Sequence, residues 1–187
     1  MDVYVIRHTA VAVESGICYG QSDVALAETF KAEAEAVVGK IPPLQGCAVY
    51  SSPLSRCRKL ADVLAADPVI DDARLLEMHF GHWELCRWDD LHDENVTRWM
   101  DDFVEQRCVG GESYRDLFLR VRDFWNELVD STAQTAVIVT HSGVIRALTA
   151  LWLDMPLQAG MRVGVDFGGV TKVRQTDYGS IVEYVNR

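Results

Sequence analysis

Long apolar runs are missing from the sequence, and so are the cysteine patterns of disulfide-linked or zinc-binding proteins. No apolar stretch approaches the roughly 20 residues that a membrane-spanning helix needs. The first apolar run, Val3 to Ile6, stops at Arg7 and is too short for a signal peptide, so we expect a cytoplasmic protein. The five cysteines include no CxxC pair, which favours free thiols in a reducing compartment and argues against a zinc site.

Positive charge is also scarce. The chain carries 18 lysines and arginines against 28 aspartates and glutamates, a formal net charge of −10. Its long-range field repels polyanions, which argues against nucleic acid or an anionic membrane as the main partner. A small anionic ligand is still compatible with this charge, because a few arginines set the potential at contact distance inside a pocket.

The order of the apolar segments predicts a layered α/β domain. The sequence has no internal repeat, low-complexity tract or flexible linker, so we expect a single domain over residues 1–187. Continuous apolar runs, typical of strands buried on both faces, occur at Val3–Ile6, Ala48–Ser51 and Ala136–Thr140. Helical patterns occur at Ala25–Val38, Pro53–Ala66, Glu112–Val129 and Val144–Leu153. This alternation predicts a three-layer sandwich, with a mostly parallel central sheet and helices on both of its faces.

Two segments depart from this alternation. Residues 80–112 hold three tryptophans and many acidic residues without a strand pattern, which predicts an irregular helical insertion over the ligand-binding end of the sheet. After Pro156, two alternating runs flank the turn Asp177–Gly179, which indicates a β-hairpin. Such a hairpin would make the sheet mixed.

Functional side chains follow three of the predicted strands. Arg7 and His8 end the first strand, and His141 ends the third. After the second strand, Ser52–Pro53 predicts the cap and the first residue of a helix, which places Arg56 in its first turn. Ligands of open α/β sheets bind beyond the carboxyl ends of the strands, so we expect these side chains to meet there. Two guanidinium groups, two imidazoles and two helix N-termini at one place predict a phosphate site.

A histidine in a phosphate site permits one particular chemistry. A neutral imidazole can attack phosphorus and form a phosphohistidine, while a carboxylic acid gives a proton to the leaving alkoxide. Arginines spread the charge of the transferring group, so neither a metal ion nor another cofactor is required. Glu77 is the candidate acid, with Glu84 and Glu112 as its nearest competitors. His79 and His82 are spaced poorly for a metal site on an irregular segment.

Several segments, in order along the chain, resemble the signatures of one enzyme superfamily. VIRHTA resembles the RHG signature of the phosphoglycerate-mutase-like histidine phosphatases, SSPLSRCRKLA their SSPLxRAxxTA segment, LLEMHFGHWE their LxExxFGxWE segment and VTHSGVIRAL their VTHxGxIR segment. GGESYRDL is similar to a GGES helix start in the same superfamily. The loop GICYGQSDVAL resembles the CYGQxDxxL loop of α-ribazole phosphatases, which act in late cobalamin synthesis.

The resemblance implies roles for individual residues. It implies that His8 is the nucleophile and that Glu77 is the proton donor. It also implies three phosphate ligands, which are Arg7, Arg56 and His141. A loop asparagine common in the mutases falls at Glu14, and we do not expect a carboxylate there to bind phosphate. His82 replaces an acidic residue of the superfamily pattern, which should alter the rim of the site more than its chemistry.

Several functions remain open from the sequence. The leading hypothesis is a metal-independent phosphomonoesterase that forms a phosphohistidine and acts on α-ribazole 5′-phosphate. A broad sugar-phosphate or nucleotide phosphatase is the first alternative, and a phosphoglycerate-mutase-type phosphotransferase is the second. A binding module for phosphorylated ligands, without catalysis, is the third.

Overall fold

A six-stranded open sheet forms the centre of the protein, whose computed structural model describes residues 1–44 and 46–187. The strands are β1 (Asp2–Arg7), β2 (Ala48–Ser51), β3 (Ile70–Asp71), β4 (Thr135–Thr140), β5 (Val170–Thr176) and β6 (Gly179–Tyr184). They lie in the order β3-β2-β4-β1-β5-β6. The pairs among β3, β2, β4 and β1 are parallel, whereas β5 pairs antiparallel with both β1 and β6. The predicted mostly parallel sheet is therefore confirmed.

Helices cover both faces of this sheet. They are α1 (Phe30–Val38), α2 (Ser55–Leu64), α3 (Glu94–Asp101), α4 (Tyr114–Val129), α5 (Ser142–Trp152) and α6 (Leu157–Gly160). Alternate residues of β1 face opposite sides, so that Val3 and Val5 pack with α4 and α5, while Tyr4 and Ile6 pack with α1 and α2. This arrangement confirms the three-layer sandwich. None of the helices in the described part of the chain is long and apolar enough to cross a membrane.

The predicted strands and the C-terminal hairpin are confirmed, but three helices begin later than expected. One of them is the helix predicted from Glu112, which begins at Tyr114, while the helix predicted from Val144 begins earlier, at Ser142. The helix predicted from Ala25 begins at Phe30, and the helix predicted from Pro53 begins at Ser55. The prediction that Ser52 caps the second helix is wrong. Asp23 reaches this helix from a distant loop, and its Oδ1 accepts hydrogen bonds from Ser55 N and Oγ at 3.0 and 2.8 Å.

The sequence patterns did not predict the two-residue strand β3 or the 3₁₀ turn Ala73–Leu75 that follows it. Both elements are too short to produce a periodic pattern. They matter because they lead the chain from the edge of the sheet to Glu77. The C-terminal region of the chain agrees better with expectation, since β5 and β6 pair antiparallel on either side of Asp177 and Tyr178.

The insertion is helical and irregular, as predicted. It contains the 3₁₀ turns Gly81–Trp83 and Trp88–Asp90, followed by α3. The rings of Trp88 and Trp99 stack with their centroids 5.8 Å apart, and Trp83 lies edge-on to both. These aromatic residues pack against the same apolar core as α4 and α5. The insertion is thereby fixed over the carboxyl ends of the parallel strands.

Candidate active site

The ends of three parallel strands bring the predicted residues together. In the registers of the sheet, Arg7 of β1 lies opposite Thr140 of β4, and Ser51 of β2 lies opposite Val139. The residues that follow these positions therefore meet at one edge. The rings of His8 and His141 have centroids 5.1 Å apart and lie nearly perpendicular to each other.

His8 is buried and held in one tautomer. Its side chain is 2% exposed, and Nδ1 lies 2.7 Å from the carbonyl oxygen of Thr9. A carbonyl oxygen only accepts hydrogen bonds, so Nδ1 carries the proton and Nε2 keeps its lone pair. Burial is the largest influence that lowers the pKa of His8 to about 3, followed by the positive charge of Arg56. The ring is therefore neutral near neutral pH.

His141 occupies the N-cap position of α5, where its side chain makes no capping hydrogen bond, and it is fully buried. Its Nε2 is 2.8 Å from Oγ of Ser52, and the thiol of Cys57 lies 3.4 Å from the same nitrogen. Burial is the largest influence that holds the pKa of His141 well below its usual range, followed by its electrostatic coupling to the neighbouring imidazole of His8 and by the charge of Arg56. The hydroxyl group of Ser52 is therefore hydrogen-bonded to the imidazole of His141 and does not cap α2.

Arg56 is fully buried and is held by a loop that lies far away in the sequence. Its Nη1 donates to the carbonyl of Ser22 at 2.8 Å, and its Nη2 donates to the carbonyl of Gly20 at 2.6 Å. Its Nε has no hydrogen-bond partner among the described residues. A buried donor without a partner is costly, so a ligand oxygen near this guanidinium would be stabilised.

Glu84 holds the loop that orients Arg56. Its carboxylate accepts hydrogen bonds from the backbone N–H groups of Gln21 and Ser22 at 3.0 and 2.6 Å. Gly20 has a φ of +38°, and a Cβ there would lie only 2.7 Å from the carbonyl oxygen of Met78. The CYGQSD string therefore has a structural task, because its main chain positions the arginine.

Arg7 packs against the aromatic ring of Phe167, which lies outside the sequence motifs. Its guanidinium carbon lies 3.8 Å from the ring centre of Phe167, and its Nη1 donates to the carbonyl of Val165 at 2.6 Å. The same ring lies 5.5 Å from His8. Phe167 precedes β5 and belongs to none of the motifs, so no sequence signal identified it.

Glu77 lies at the N-terminus of α5, the helix that follows His141. Its Oε2 accepts hydrogen bonds from Gly143 N at 3.2 Å and from Ser142 Oγ at 3.4 Å, while Oε1 accepts from Met78 N at 3.1 Å. Gly143 leaves room for this contact, because a Cβ at that position would overlap Oε1.

The competing carboxylates have other partners. Glu84 holds the loop of residues 20–22, and Glu112 forms a two-point ion pair with Arg120. Glu14 lies at the surface and pairs with Arg87 at 3.3 Å. Of the carboxyl groups considered, Glu77 is therefore the one that lies at the start of α5 and remains the candidate acid.

An apolar pocket opens beside Glu77. It has a volume of about 160 Å³ and is lined by Glu77, Met78, Phe80, Trp99, Phe103, Tyr114, Ser142, Gly143, Arg146 and Met161. The aromatic residues come mostly from the insertion, and Arg146 is its one cation among the described lining residues. The pocket can therefore hold a flat apolar group next to the candidate acid.

A larger cavity of about 610 Å³ lies at the opposite end of the sheet. The described residues that line it, which include Tyr50, Ser131 and Thr135, carry no charged side chain. It is therefore poorly suited to a phosphate ester. Among residues 1–44 and 46–187, no group of three or more His, Cys, Asp or Glu side chains is arranged to hold a metal ion.

Known proteins are similar to this chain in sequence and in fold. A Hydrogenobacter thermophilus protein that carries the name "putative phosphoserine phosphatase 2" is 28% identical over 99% of this chain and 95% of its own length. The adenosylcobalamin/α-ribazole phosphatase of Escherichia coli is 32% identical over 64% of this chain and 63% of its own length. The crystal structure of the α-ribazole phosphatase from Shigella flexneri has a TM-score of 0.90 at 25% identity, covering 100% of this chain and 96% of that one.

These similarities confirm the expected enzyme class, a phosphoric monoester hydrolase. The family model described as the histidine phosphatase superfamily (branch 1) matches residues 3–187, which is nearly the whole chain. The chain therefore belongs to the histidine phosphatase superfamily.

Proposed function

We propose that His8 is the nucleophile of this phosphatase and that its Nε2 accepts the phosphoryl group. The observation that carries this proposal is the hydrogen bond from Nδ1 to the carbonyl of Thr9, which leaves the lone pair on Nε2. The lowered pKa supports it further, because a neutral imidazole needs no prior loss of a proton. The same hydrogen bond would stabilise the positive charge that the ring gains on phosphorylation.

Arg7, Arg56 and His141 are proposed to hold the phosphoryl oxygens. Each guanidinium group has five N–H donors and uses only part of them on main-chain carbonyls. The buried Nε atoms of both arginines lack a partner among the described residues, which favours an anion beside them. The two positive charges would offset the phosphate ester's two negative charges in the transition state without a metal ion.

Glu77 is proposed to move the protons of both steps. In the first step the Nε2–P bond forms, the ester P–O bond breaks, and Glu77 gives its proton to the leaving oxygen. In the second step Glu77 takes a proton from water, whose oxygen attacks phosphorus while the N–P bond breaks. Inorganic phosphate leaves, and both residues return to their starting states.

The apolar pocket favours α-ribazole 5′-phosphate as the substrate. A benzimidazole is flat and apolar, and Phe80, Trp99 and Phe103 provide matching walls beside Glu77. The GICYGQSDVAL loop is weaker support, because its contacts with Arg56 would serve any phosphate ester. The substrate proposal therefore depends mainly on the pocket.

Arg146 favours a second candidate, a substrate whose alcohol carries a carboxylate, such as phosphoserine. Its side chain lines the same pocket, and its Nε donates to the carbonyl of Val163 at 3.0 Å. The Nη groups are the donors that a substrate carboxylate would bind, since guanidinium and carboxylate form two-point pairs. The two candidate substrates thus differ in the pocket residues that they would contact, which are the aromatic side chains for the ribazole ester and Arg146 for phosphoserine.

A substrate panel separates these functions. Phosphate release is measured from α-ribazole 5′-phosphate, phosphoserine, a sugar phosphate and p-nitrophenyl phosphate, with EDTA present throughout. A preference for the ribazole ester is expected, and Trp99→Ala should weaken that preference while Arg146→Gln should affect phosphoserine more. Slow and equal turnover of every ester would contradict the narrow substrate proposal and leave a broad phosphatase.

The chemistry itself is tested by trapping the phosphoenzyme. Brief reaction with a ³²P-labelled ester should give an acid-labile, base-stable label that His8→Gln abolishes. Transfer of the label to an added phosphoglycerate instead of water would favour the mutase alternative. Tight binding of phosphate esters without any hydrolysis would favour a binding module. The expected partner remains a small phosphate ester in the cytoplasm.

A further inference from the structure

We propose that Arg120 is a positioning residue that fixes Glu77 for proton transfer, with Glu112 holding Arg120 in place. This inference depends on the proposed role of Glu77 as the acid. It adds a residue of α4 that belongs to none of the motifs and does not touch the phosphate site.

The guanidinium group of Arg120 binds the main chain on both sides of Glu77. Its Nη1 donates to the carbonyls of Arg74 and Leu76 at 2.7 and 2.6 Å, and its Nη2 donates to the carbonyl of Glu77 at 2.9 Å. Two consecutive carbonyls, those of Leu76 and Glu77, are therefore held by one rigid planar group. Such a group restricts the position of the Glu77 Cα atom from which the carboxyl side chain extends.

Glu112 completes this arrangement. Its two carboxylate oxygens accept hydrogen bonds from Arg120 Nε and Nη2 at 2.8 and 2.9 Å, and Oε2 also accepts from His79 N at 3.0 Å. The two side chains are only 18% and 21% exposed. This ion pair therefore joins α4 to the segment on both sides of Glu77, in a place where water competes weakly.

The segment that carries Glu77 needs this support because it has no regular structure of its own. Residues 76–80 lie between the 3₁₀ turns Ala73–Leu75 and Gly81–Trp83, and no backbone N–H group of a helix or strand in the described part of the chain supplies hydrogen bonds to the carbonyls of Leu76 and Glu77. The carboxylate contacts of Glu77 are comparatively long, between 3.1 and 3.4 Å, and leave the side chain loosely held. By contrast, α4 is anchored in the core by buried residues such as Leu117, Val121 and Phe124.

Arg120 thus transmits the rigidity of α4 to the candidate acid. Misplacement of a catalytic group by about 1 Å can cost on the order of 100-fold in rate. In the second step Glu77 serves every substrate alike, so a selective loss should appear in kcat/KM, which reports the first step, and only where that step needs a proton from Glu77. A p-nitrophenolate leaves without protonation, whereas an alkoxide does not.

The test compares two substrates in each variant. We measure kcat and KM for p-nitrophenyl phosphate and for the best alkyl phosphate of the panel, using Arg120→Gln and Glu77→Gln. Arg122→Gln is the matched control, because Arg122 lies on the same helix, is exposed, and pairs with the adjacent Asp123. For Arg120→Gln we expect kcat/KM on the alkyl phosphate to fall about 10- to 100-fold more than kcat/KM on the aryl phosphate.

Two further variants sharpen the result. Arg120→Lys keeps the charge but lacks the planar donors, so it should restore part of the alkyl phosphate activity. In the Arg120→Gln, Glu77→Gln double variant, the selective loss should not exceed that of Glu77→Gln alone, because both changes act on one proton transfer. If Arg120→Gln does not fold, Glu112→Gln takes its place in the same measurements.

The outcomes separate this inference from the proposal on which it rests. A selective loss in Glu77→Gln, together with an equal loss on both substrates or no loss in Arg120→Gln, would overturn the positioning role alone. If Glu77→Gln itself shows no selective loss, the assignment of the acid is wrong and the positioning role is refuted with it. Similar behaviour of Arg122→Gln and Arg120→Gln would also contradict the inference.

Discussion

The buried imidazole of His8 should make the stability of the protein depend on pH. In the folded protein its pKa is lowered to about 3, whereas an unhindered histidine titrates near 6.5. Between these values the unfolded chain binds a proton that the folded chain does not bind. The free energy of unfolding therefore decreases as the pH falls through 6.5, and this contribution is fully retained above that value.

The size of the effect follows from the unfolded pKa, because folded His8 is almost entirely neutral at pH 5. Lowering the pH from 7 to 5 should then cost about 2 kcal/mol of unfolding free energy through His8 alone. His141 is expected to act in the same direction, since its pKa is also lowered by burial. Replacing His8 by glutamine removes the first contribution and leaves the second.

Urea unfolding at pH 7, 6 and 5 measures this contribution directly. The difference in unfolding free energy between the native protein and His8→Gln should shift by about 2 kcal/mol, in favour of the variant, as the pH falls from 7 to 5. His92→Gln, at an exposed position of the insertion, is the matched control and should follow the native protein. Parallel curves for the native protein and His8→Gln would refute the reasoning, because His8 would then take up protons equally in both states.

Three further substitutions test how the site is built. Gly143→Ala should lower kcat about 10- to 100-fold with little loss of stability, because the added Cβ displaces the flexible carboxylate of Glu77. An unchanged kcat would contradict this role of Gly143. Glu84→Gln should cost about 1–3 kcal/mol of unfolding free energy, since Glu84 holds the loop that orients Arg56. It should also raise KM for phosphate esters, and a KM equal to that of the native protein would argue against the link between this loop and Arg56. Ser113→Ala removes the capping box of α4 and should cost about 1 kcal/mol in urea unfolding without changing KM; a change in KM would indicate a direct role in binding.

The strands and the histidines could be predicted because their signals are local. A continuous apolar run such as Ala136–Thr140 has to be buried on both faces, and the polar residue after it must lie at an edge of the sheet. The same reasoning applies to Val3–Ile6 and His8. The start of α4 was predicted to within two residues, because Ser113 and Asp116 form a capping box within four residues.

Predictions failed where a partner came from far along the chain. The start of α2 is set by Asp23, which lies 32 positions before Ser55, so the local Ser52–Pro53 pattern placed it too early. The partners of Arg56 lie 34 and 36 positions away, and the carbonyl that binds Arg7 lies 158 positions away. Contacts between residues so far apart produce neither a periodic pattern nor a short motif in the sequence.

Apolar runs and short motifs depend on neighbouring residues, so they already indicated the α/β layering, the superfamily and the identity of the residues at the strand ends. The tertiary structure alone showed that the imidazole of His8 is neutral and fixed in one tautomer, that Phe167 covers Arg7, and that Arg120 holds the main chain of Glu77. Burial and hydrogen bonding depend on atoms that folding brings together. These properties therefore arise only once the sheet, α4 and the insertion are packed against one another.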